Sequence, residues 1–226
     1  GELEKLAEYV SDVDIDKIDK KELKKQLMSE KSLDMALFGR MVANDPSLNV
    51  DAACQVAHAI STHEVTPEFD FYAAVEDNQS DDENGAAMLG TIEYNSSTLF
   101  RYANVNVNEL VNNLGSTAAA LQGIKLFIKE FMMSMPTGKQ NAFANKTVPQ
   151  YVMITLRDDT PVNLVSAFEK PIISNDGYLQ KSIDRLEEEY TATQKFVDQS
   201  VATFVLTTGD SKLHEQTENK EDLLDK

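Results

Sequence analysis

Residues 69–107, with the sequence FDFYAAVEDNQSDDENGAAMLGTIEYNSSTLFRYANVNV, decide the fold. Residues 69–77 and 89–97 are rich in aromatic and β-branched side chains, and the acid-rich residues 78–86 separate them. Two such segments around a polar loop are typical of a long β-hairpin with a solvated tip. The sequence therefore predicts a protruding arm.

Aromatic side chains occupy the base of this arm, at Phe69, Phe71 and Tyr72. A ring on an arm can stack on an unpaired base or insert between two bases. The alternative is a hydrophobic core, which the sequence favours for Phe69 and leaves open for Tyr72.

Helical and strand-like segments follow each other irregularly in the rest of the chain. Apolar spacing and capping residues predict helices over residues 2–10, 19–30, 32–38, 108–115, 116–135, 161–170 and 179–197. Strands are predicted over residues 52–65, where the alanine content also allows a helix, 98–107 and 150–159. A loop is predicted over 136–149, and a poorly ordered polar tail from 209 onward. Helices mixed with strands, without regular βαβ alternation, indicate the α+β class.

Composition narrows the function classes. The 226 residues include 38 acidic and 21 basic side chains, for a formal net charge of −17, which argues against nucleic-acid binding unless cations are clustered. The single cysteine excludes an intrachain disulfide and fits a reducing compartment. Since no apolar run approaches the roughly 20 residues of a membrane span and no secretion signal is evident, a cytoplasmic protein is expected.

A cluster of cations does occur in the second helix, which an Asp-x-x-Glu pattern begins at Asp19. At 100° per residue, Lys20, Lys21, Lys24 and Lys25 fall within an arc of about 140° on the side opposite the apolar residues. The resulting basic stripe is either a solvated helix face, which the residues alone favour, or a surface for nucleic acid.

Neither a metal site nor a catalytic site is predicted. Cys54, His58 and His63 lie close in sequence, but a structural zinc site needs four ligands and only His214 remains. No acid–base or nucleophile pattern accompanies these residues, and the acidic loop at 77–85 lacks the ligand order of a calcium-binding loop. Catalytic residues, metal ions and cofactors are therefore not expected.

The loop at 136–146 has a different character. Lys139, Gln140, Asn141 and Lys146 supply hydrogen-bond donors without a neighbouring acid, and Gly138 permits close backbone approach. Such a loop suits contacts to phosphate, sugar or base edges. An ordinary surface loop is the alternative.

Several motifs of the chain resemble those of one family. The segments MALFGRM, VAHAISTHEV, FDFYAAVED, LGTIEYNSSTLFRYANVNV, GKQNAFA, SAFEK and GYLQKSI follow each other in this order. They are similar to the CasC family, the repeated backbone subunit of the type I-E CRISPR surveillance complex, Cascade. The resemblance covers about residues 15–183.

This resemblance implies a hand-shaped α+β subunit with a partial RRM-like (ferredoxin-like) palm. It divides the chain into a helical fingers segment (1–50), a palm strand (51–65), a thumb hairpin (66–98), the remaining palm with helices (99–208) and a polar C-terminal tail (209–226). Copies of such a subunit polymerise along one CRISPR RNA, and each thumb displaces a guide nucleotide. The resemblance thus offers a reason for aromatic rings on an exposed arm.

The resemblance also implies site residues. Phe71 and Tyr72 match the thumb wedge, and Met41 matches an apolar fingers residue that packs against bases. Lys139, Gln140 and Asn141 become candidate RNA contacts. The stripe of Lys20, Lys21, Lys24 and Lys25 matches a helix that attracts target DNA.

The function expected from the resemblance is a non-catalytic RNA-binding scaffold for antiviral defence. Its partners would be CRISPR RNA, target DNA, neighbouring copies and other Cascade subunits, with no membrane. The family's front segment, similar to RISSQSLKR, has no counterpart here, so the palm sheet is expected to lack a strand and to expose an edge. Ala73 stands where the family has a small polar residue. The alternative function is a protein-interaction module that binds a partner chain through its hairpin and acidic surface.

Overall fold

Helices and short antiparallel sheets make up the computed structural model, which describes residues 2–13, 19–29, 31–74, 88–213 and 216–226. The helices are α1 (Glu2–Asp12), α2 (Lys20–Ser29), α3 (Leu33–Phe38), α4 (Val107–Leu114), α5 (Thr117–Met133), α6 (Gln140–Phe143), α7 (Leu179–Thr193) and α8 (Lys220–Asp225), with 3-10 turns at Pro46–Leu48 and Leu164–Phe168. The strands are β1 (Cys54–Val56), β2 (Ile60–Ser61), β3 (Glu68–Ala74), β4 (Met88–Tyr94), β5 (Leu99–Phe100), β6 (Ala103–Val105), β7 (Tyr151–Leu156) and β8 (Ala202–Thr207). This mixture confirms the α+β class.

One irregular antiparallel ribbon leads into the predicted hairpin. Strand β1 pairs with β6, β2 with β5, and β3 with β4. Single backbone hydrogen bonds continue the ribbon between the paired strands, from Ala57 N–H to the Tyr102 carbonyl (3.0 Å) and from Thr62 N–H to the Thr98 carbonyl (2.9 Å). The ribbon therefore forms the stalk from which the hairpin extends.

The ribbon corrects the prediction of one strand over residues 52–65 and one over 98–107. Three residues, 57–59, face only two residues, 101–102, so the pairing register shifts by one residue between β1/β6 and β2/β5. An extra residue on one side interrupts an antiparallel ladder and bends it. The break depends on pairing across the ribbon, which periodicity along one segment does not reveal.

The hairpin prediction itself is confirmed over the described residues. Strands β3 and β4 pair from Glu68 with Tyr94 to Ala74 with Met88. The acidic tip predicted around residues 77–85 lies outside the described residues.

Local signals placed several helix boundaries correctly. The Asp19 carboxylate accepts a hydrogen bond from Lys21 N–H (2.9 Å) at the start of α2, and Ser116 caps α5. Gly115 closes α4 with a left-handed backbone (φ 66°). Gly39 ends α3 at φ 75°, and a side chain there would lie 2.7 Å from the Val50 carbonyl oxygen.

Two packed clusters stabilise the fold. The first joins α3, β1, α4 and α5 and contains Ala36, Leu37, Ala53, Cys54, Leu110 and Ala120. Buried Asn113 ties its edge, because its amide donates to the carbonyls of Ala36 (3.1 Å) and Asp51 (2.9 Å) and accepts from the Lys31 ammonium (2.9 Å). The second cluster packs Ala167, Phe168 and Ile172 against Ile60 and Phe100 of the ribbon.

The prediction of a poorly ordered tail from residue 209 is wrong for the described part of that segment. Thr217 N–H donates to the carbonyl of Val205 (2.8 Å), within strand β8, which was not predicted from the sequence. Helix α8 buries Leu223 and packs against α5, where Lys125 pairs with Asp225 at 3.0 Å. A few contacts therefore hold a polar segment that composition alone assigns to solvent.

A buried carboxylate on α7 supplies the strongest of these contacts. Glu187 is 2% exposed and accepts hydrogen bonds from Tyr151 Oη (2.9 Å), Ser211 Oγ (2.5 Å) and Lys212 N–H (2.8 Å). Burial and the neighbouring carboxylate raise the pKa of Tyr151 well above its usual range, so the phenol stays a donor. Glu187 thus fastens both β7 and residues 211–212 to α7.

Candidate nucleic-acid interface

The two aromatic residues predicted to form one wedge lie on opposite faces of the hairpin. Successive side chains of a strand alternate between faces, and the register pairs Phe71 with Thr91 but Tyr72 with Gly90. Phe71 and Tyr72 are 66% and 37% exposed. A single base therefore cannot contact both rings from one side of the hairpin, and the roles of both residues stay predictions.

The face of Phe71 carries an exposed apolar stripe. Phe69 and Leu89, on the same face by register, are 65% and 62% exposed. The core interpretation of Phe69 is therefore wrong for this chain by itself. Exposed apolar rows of this kind are typical of surfaces that another molecule covers.

The Tyr72 ring lies across the opposing strand. An ideal Cβ built on Gly90 would lie 2.6 Å from Tyr72 Oη and 2.7 Å from its Cζ. Only a residue without a side chain leaves room for the ring in this position. Gly90 therefore sets the orientation of Tyr72 on its face of the hairpin.

The loop predicted to contact RNA reaches the same face of the hairpin. The rings of Tyr94 and Phe143 lie 5.4 Å apart, and by register Tyr94 shares its face with Tyr72. The Lys139 ammonium lies 6.0 Å from the centre of the Phe143 ring. Four residues of strand separate Gly90 from Tyr94, a distance of about 13 Å. Tyr72 and the loop thus line one side of the arm.

The loop is not irregular throughout, which corrects its prediction. Residues 140–143 form the single turn α6, between Lys139 at φ 55° and Ala144 at φ 47°. Left-handed conformations are unfavourable for residues with a side chain, and they occur often at functional sites. Gln140 and Asn141 are exposed on this turn.

Sequence reasoning missed Tyr94 and Phe143, although they hold the loop in place. The two residues are far apart in the chain, and each is an ordinary aromatic within its own segment. No local pattern links them, so only the fold reveals the contact.

Met41 lies in the connection between α3 and β1 with 86% of its side chain exposed. The backbone on either side is held, since Arg40 pairs with Val50 and Val42 N–H donates to the Asn49 side chain (2.6 Å). Met41 is therefore an exposed apolar side chain on a well-held turn, as expected of a residue that packs against a base. Its role stays a prediction.

Two ion pairs partly neutralise the lysine stripe: the pair with Glu22 follows from the helical spacing, whereas the pair with Asp45 does not. The Lys24 ammonium pairs with the Asp45 carboxylate and lies 3.1 Å from Ser47 Oγ. The hydrogen bond from the Lys24 ammonium to the Asp45 carboxylate is the main reason that the pKa of Asp45 is lowered. The Lys25 ammonium lies 3.6 Å from the Glu22 carboxylate. Lys21 is exposed, and the side chain of Lys20 is not among those that the structure describes. The stripe as a DNA surface stays a prediction.

His63 and Cys54, two of the residues considered for metal binding, are buried among protein contacts. The His63 ring stacks on Tyr178 (3.8 Å between centres), its Nε2 accepts from Thr98 N–H (3.1 Å), and its Nδ1 lies 2.8 Å from the Glu64 carbonyl. Burial raises the pKa of the Cys54 thiol. No group of three or more potential His, Cys, Asp or Glu ligands occurs among the described residues, and none of their helices is long and apolar enough to span a membrane.

The chain resembles solved subunits of RNA-guided complexes. One chain, from a structure named "CRISPR RNA-guided surveillance complex, pre-nicking", is 32% identical with a TM-score of 0.80, and the match covers 90% of this chain and 56% of that one. Another, from a "CRISPR RNA-guided surveillance complex", is 33% identical with a TM-score of 0.74 and coverages of 85% and 76%. This chain therefore spans little more than half of the first of these relatives.

Among curated proteins, none matches the chain. The model of the CT1975-like protein family matches it over residues 1–226, that is, from the first residue to the last. Together with the shared fold of the surveillance-complex chains, this match shows that the chain belongs to the CT1975-like protein family.

Proposed function

We propose that this chain is a non-catalytic backbone subunit of a CRISPR RNA-guided surveillance complex of type I-E, similar to CasC. In this role it polymerises along the guide RNA and presents the guide for pairing with target DNA in antiviral defence. The observation that carries the proposal is the 33% identity to a chain of a surveillance complex over 85% of this sequence. Base pairing reads the target in such systems, whereas the protein holds the guide by shape and charge.

The hairpin supports this proposal through its two different faces. On one face, the Tyr72 ring is positioned by Gly90 and shares its side of the arm with Lys139. Stacking of a base on such a ring stabilises a complex by roughly 1–3 kcal/mol. On the other face, the stripe of Phe69, Phe71 and Leu89 suits an apolar surface on a neighbouring copy. One arm can thereby contact RNA and protein together.

The local distribution of charge supports the proposal even though the net charge of the chain is negative. Among the described residues, no carboxylate pairs with Lys139 or Lys146. Phosphate groups are therefore not excluded from this segment by a neighbouring acid, and cations here can release counterions from RNA. We assign the stripe of Lys20, Lys21, Lys24 and Lys25 to target DNA, with Lys24 and Lys25 also paired with Asp45 and Glu22.

The test is nuclease protection of the guide RNA at nucleotide resolution, with wild-type chain and the variants Tyr72→Ala and Met41→Ala. We expect regular protection with the wild type and loss of its periodicity with either variant. Lys170→Ala, at an exposed lysine in another segment, is the control and should leave the protection pattern unchanged. A pattern that no variant changes would contradict the base-contact roles of Tyr72 and Met41.

The exposed stripe favours a second function, a module that binds only protein. In that case, the chain would self-associate through Phe69 and Phe71 without RNA, and no protection of RNA would be observed. Analytical ultracentrifugation of wild type and Phe71→Ala, with and without RNA, distinguishes the two functions. The RNA scaffold requires assembly that depends on RNA, whereas the protein module does not.

A further inference from the structure

Arg101 occupies an unusual position in the ribbon. It lies in the two-residue segment between β5 and β6, opposite the extra residue that shifts the register. Its guanidinium carbon lies 4.4 Å from the centre of the Phe131 ring, near the end of α5. Its Nη1 donates to the Ser134 carbonyl (3.4 Å), and the side chain is exposed. Arg101 is thus held in one orientation while it faces solvent.

The contacts of Arg101 leave its hydrogen-bonding edge available. Stacking on Phe131 occupies one flat side of the guanidinium, and Ser134 occupies one of its five N–H donors. By contrast, Arg157 is 7% exposed and its Nε pairs with Asp159 at 2.9 Å. No carboxylate lies within ion-pair distance of Arg101 among the residues that the structure describes. A stacked guanidinium with a vacant fork of donors matches the geometry of a phosphate group.

Residues 134–143 connect Arg101 to the hairpin. This segment begins beside Arg101 at Ser134 and ends beside the base of the hairpin, where Phe143 contacts Tyr94. Residues 95–100 of the ribbon connect Tyr94 to Arg101 along the chain. Lys139 lies between the two ends of the segment. Residues 134–143 thus join the Arg101 contact to the Tyr94–Phe143 contact and carry Lys139 between them.

We propose that Arg101 binds a phosphodiester group of single-stranded RNA, and that Arg101, Lys139 and the Tyr94–Phe143 pair form a backbone track along residues 134–143. The inference rests on the proposed function, which it extends from the Tyr72 face toward the palm. Rings and amide donors beside the cations favour RNA over an acidic peptide, because rings stack on bases and amides bond to base edges or sugars.

The test is binding of a labelled single-stranded RNA to the 226-residue chain, followed by fluorescence anisotropy between about 50 and 200 mM salt. Arg101→Ala should weaken binding about tenfold and reduce the slope of log affinity against log salt by about 0.7, the value for one phosphate contact on a single strand. Arg101→Lys should keep the slope but bind more weakly, since lysine has neither the fork nor the flat face. Lys170→Ala, at an exposed lysine elsewhere, is the control and should match the wild type.

The outcomes distinguish failure of the proposed Arg101 track from failure of the proposed function. If Tyr72→Ala weakens binding but Arg101→Ala behaves like Lys170→Ala, the track is overturned and the proposed function stands. If the wild type does not bind RNA, both are overturned. If Arg101→Ala loses binding to polyglutamate but not to RNA, the partner is an acidic peptide and the track is overturned. Thermal unfolding of Arg101→Gln, which keeps a planar group for Phe131, separates loss of contact from loss of fold.

Discussion

Gly90→Ala should weaken RNA binding without unfolding the protein. The new methyl carbon would lie 2.6 Å, 2.7 Å and 2.9 Å from Oη, Cζ and Cε1 of Tyr72. Ordinary contacts begin near 3.4 Å, so the ring must move by about 1 Å or rotate away. Because the ring is exposed and alanine is favoured over glycine in a strand by roughly 0.5–1 kcal/mol, the free energy of unfolding should change by less than about 1 kcal/mol. The stacking surface, in contrast, loses its orientation.

The expected loss of RNA affinity follows from the stacking energy. If one base stacks on Tyr72, displacing the ring removes roughly 1–3 kcal/mol, which corresponds to about 5-fold to 150-fold weaker binding. The assay is fluorescence anisotropy with single-stranded RNA, alongside urea unfolding. Thr91→Ala is the matched control, since Thr91 is the next residue on the same strand and lies on the opposite face. Wild-type affinity in Gly90→Ala would refute the reasoning that a fixed Tyr72 ring contacts the guide.

Three further predictions concern stability. Glu187→Ala leaves three donors without their acceptor and should lower the free energy of unfolding in urea by about 3 kcal/mol, whereas a change below about 1 kcal/mol would contradict the role of this contact. Because the pKa of Tyr151 is raised in the folded protein, the stabilising contribution of Tyr151 is complete below the ordinary tyrosine pKa near 10 and is lost as the pH rises further. The free energy of unfolding should therefore decline less above pH 10 in Tyr151→Phe than in the wild type. An equal decline in both proteins would count against this prediction. Ala144→Gly should stabilise the chain by up to about 1 kcal/mol because φ is 47°, while the control Ala142→Gly, inside α6, should destabilise it; two equal effects would argue against strain at Ala144.

Features that depend on neighbouring residues were predictable from the sequence. The cap at Asp19, the break at Gly39, the cap at Ser116 and the end of α4 at Gly115 all follow from backbone chemistry within one turn. The hairpin itself was also predictable, since two strand-like segments around a polar loop pair directly.

Features that depend on distant contacts were not predictable. The pairing of Lys24 with Asp45 reduces the basic stripe, and Tyr94 holds the candidate loop through Phe143. Glu187 fixes a tail that looks solvated by composition. In each case a single partner from another segment decides the structure. The sequence shows both partners but contains no periodicity that relates them.

The distribution of partners explains how a chain with a net charge of −17 can offer a surface for RNA. Many acids have structural roles: Asp19 caps a helix, Asp45 pairs with Lys24, Asp159 holds Arg157 and Glu187 fastens the tail. The charges of Asp45 and Asp159 are balanced by an adjacent cation, so these two carboxylates repel a distant phosphate less than the formal charge suggests. The cations along residues 134–146 and Arg101 have no such partners in the described chain. Under the proposed function, net charge misleads here, because RNA would respond to these unpaired cations rather than to the total.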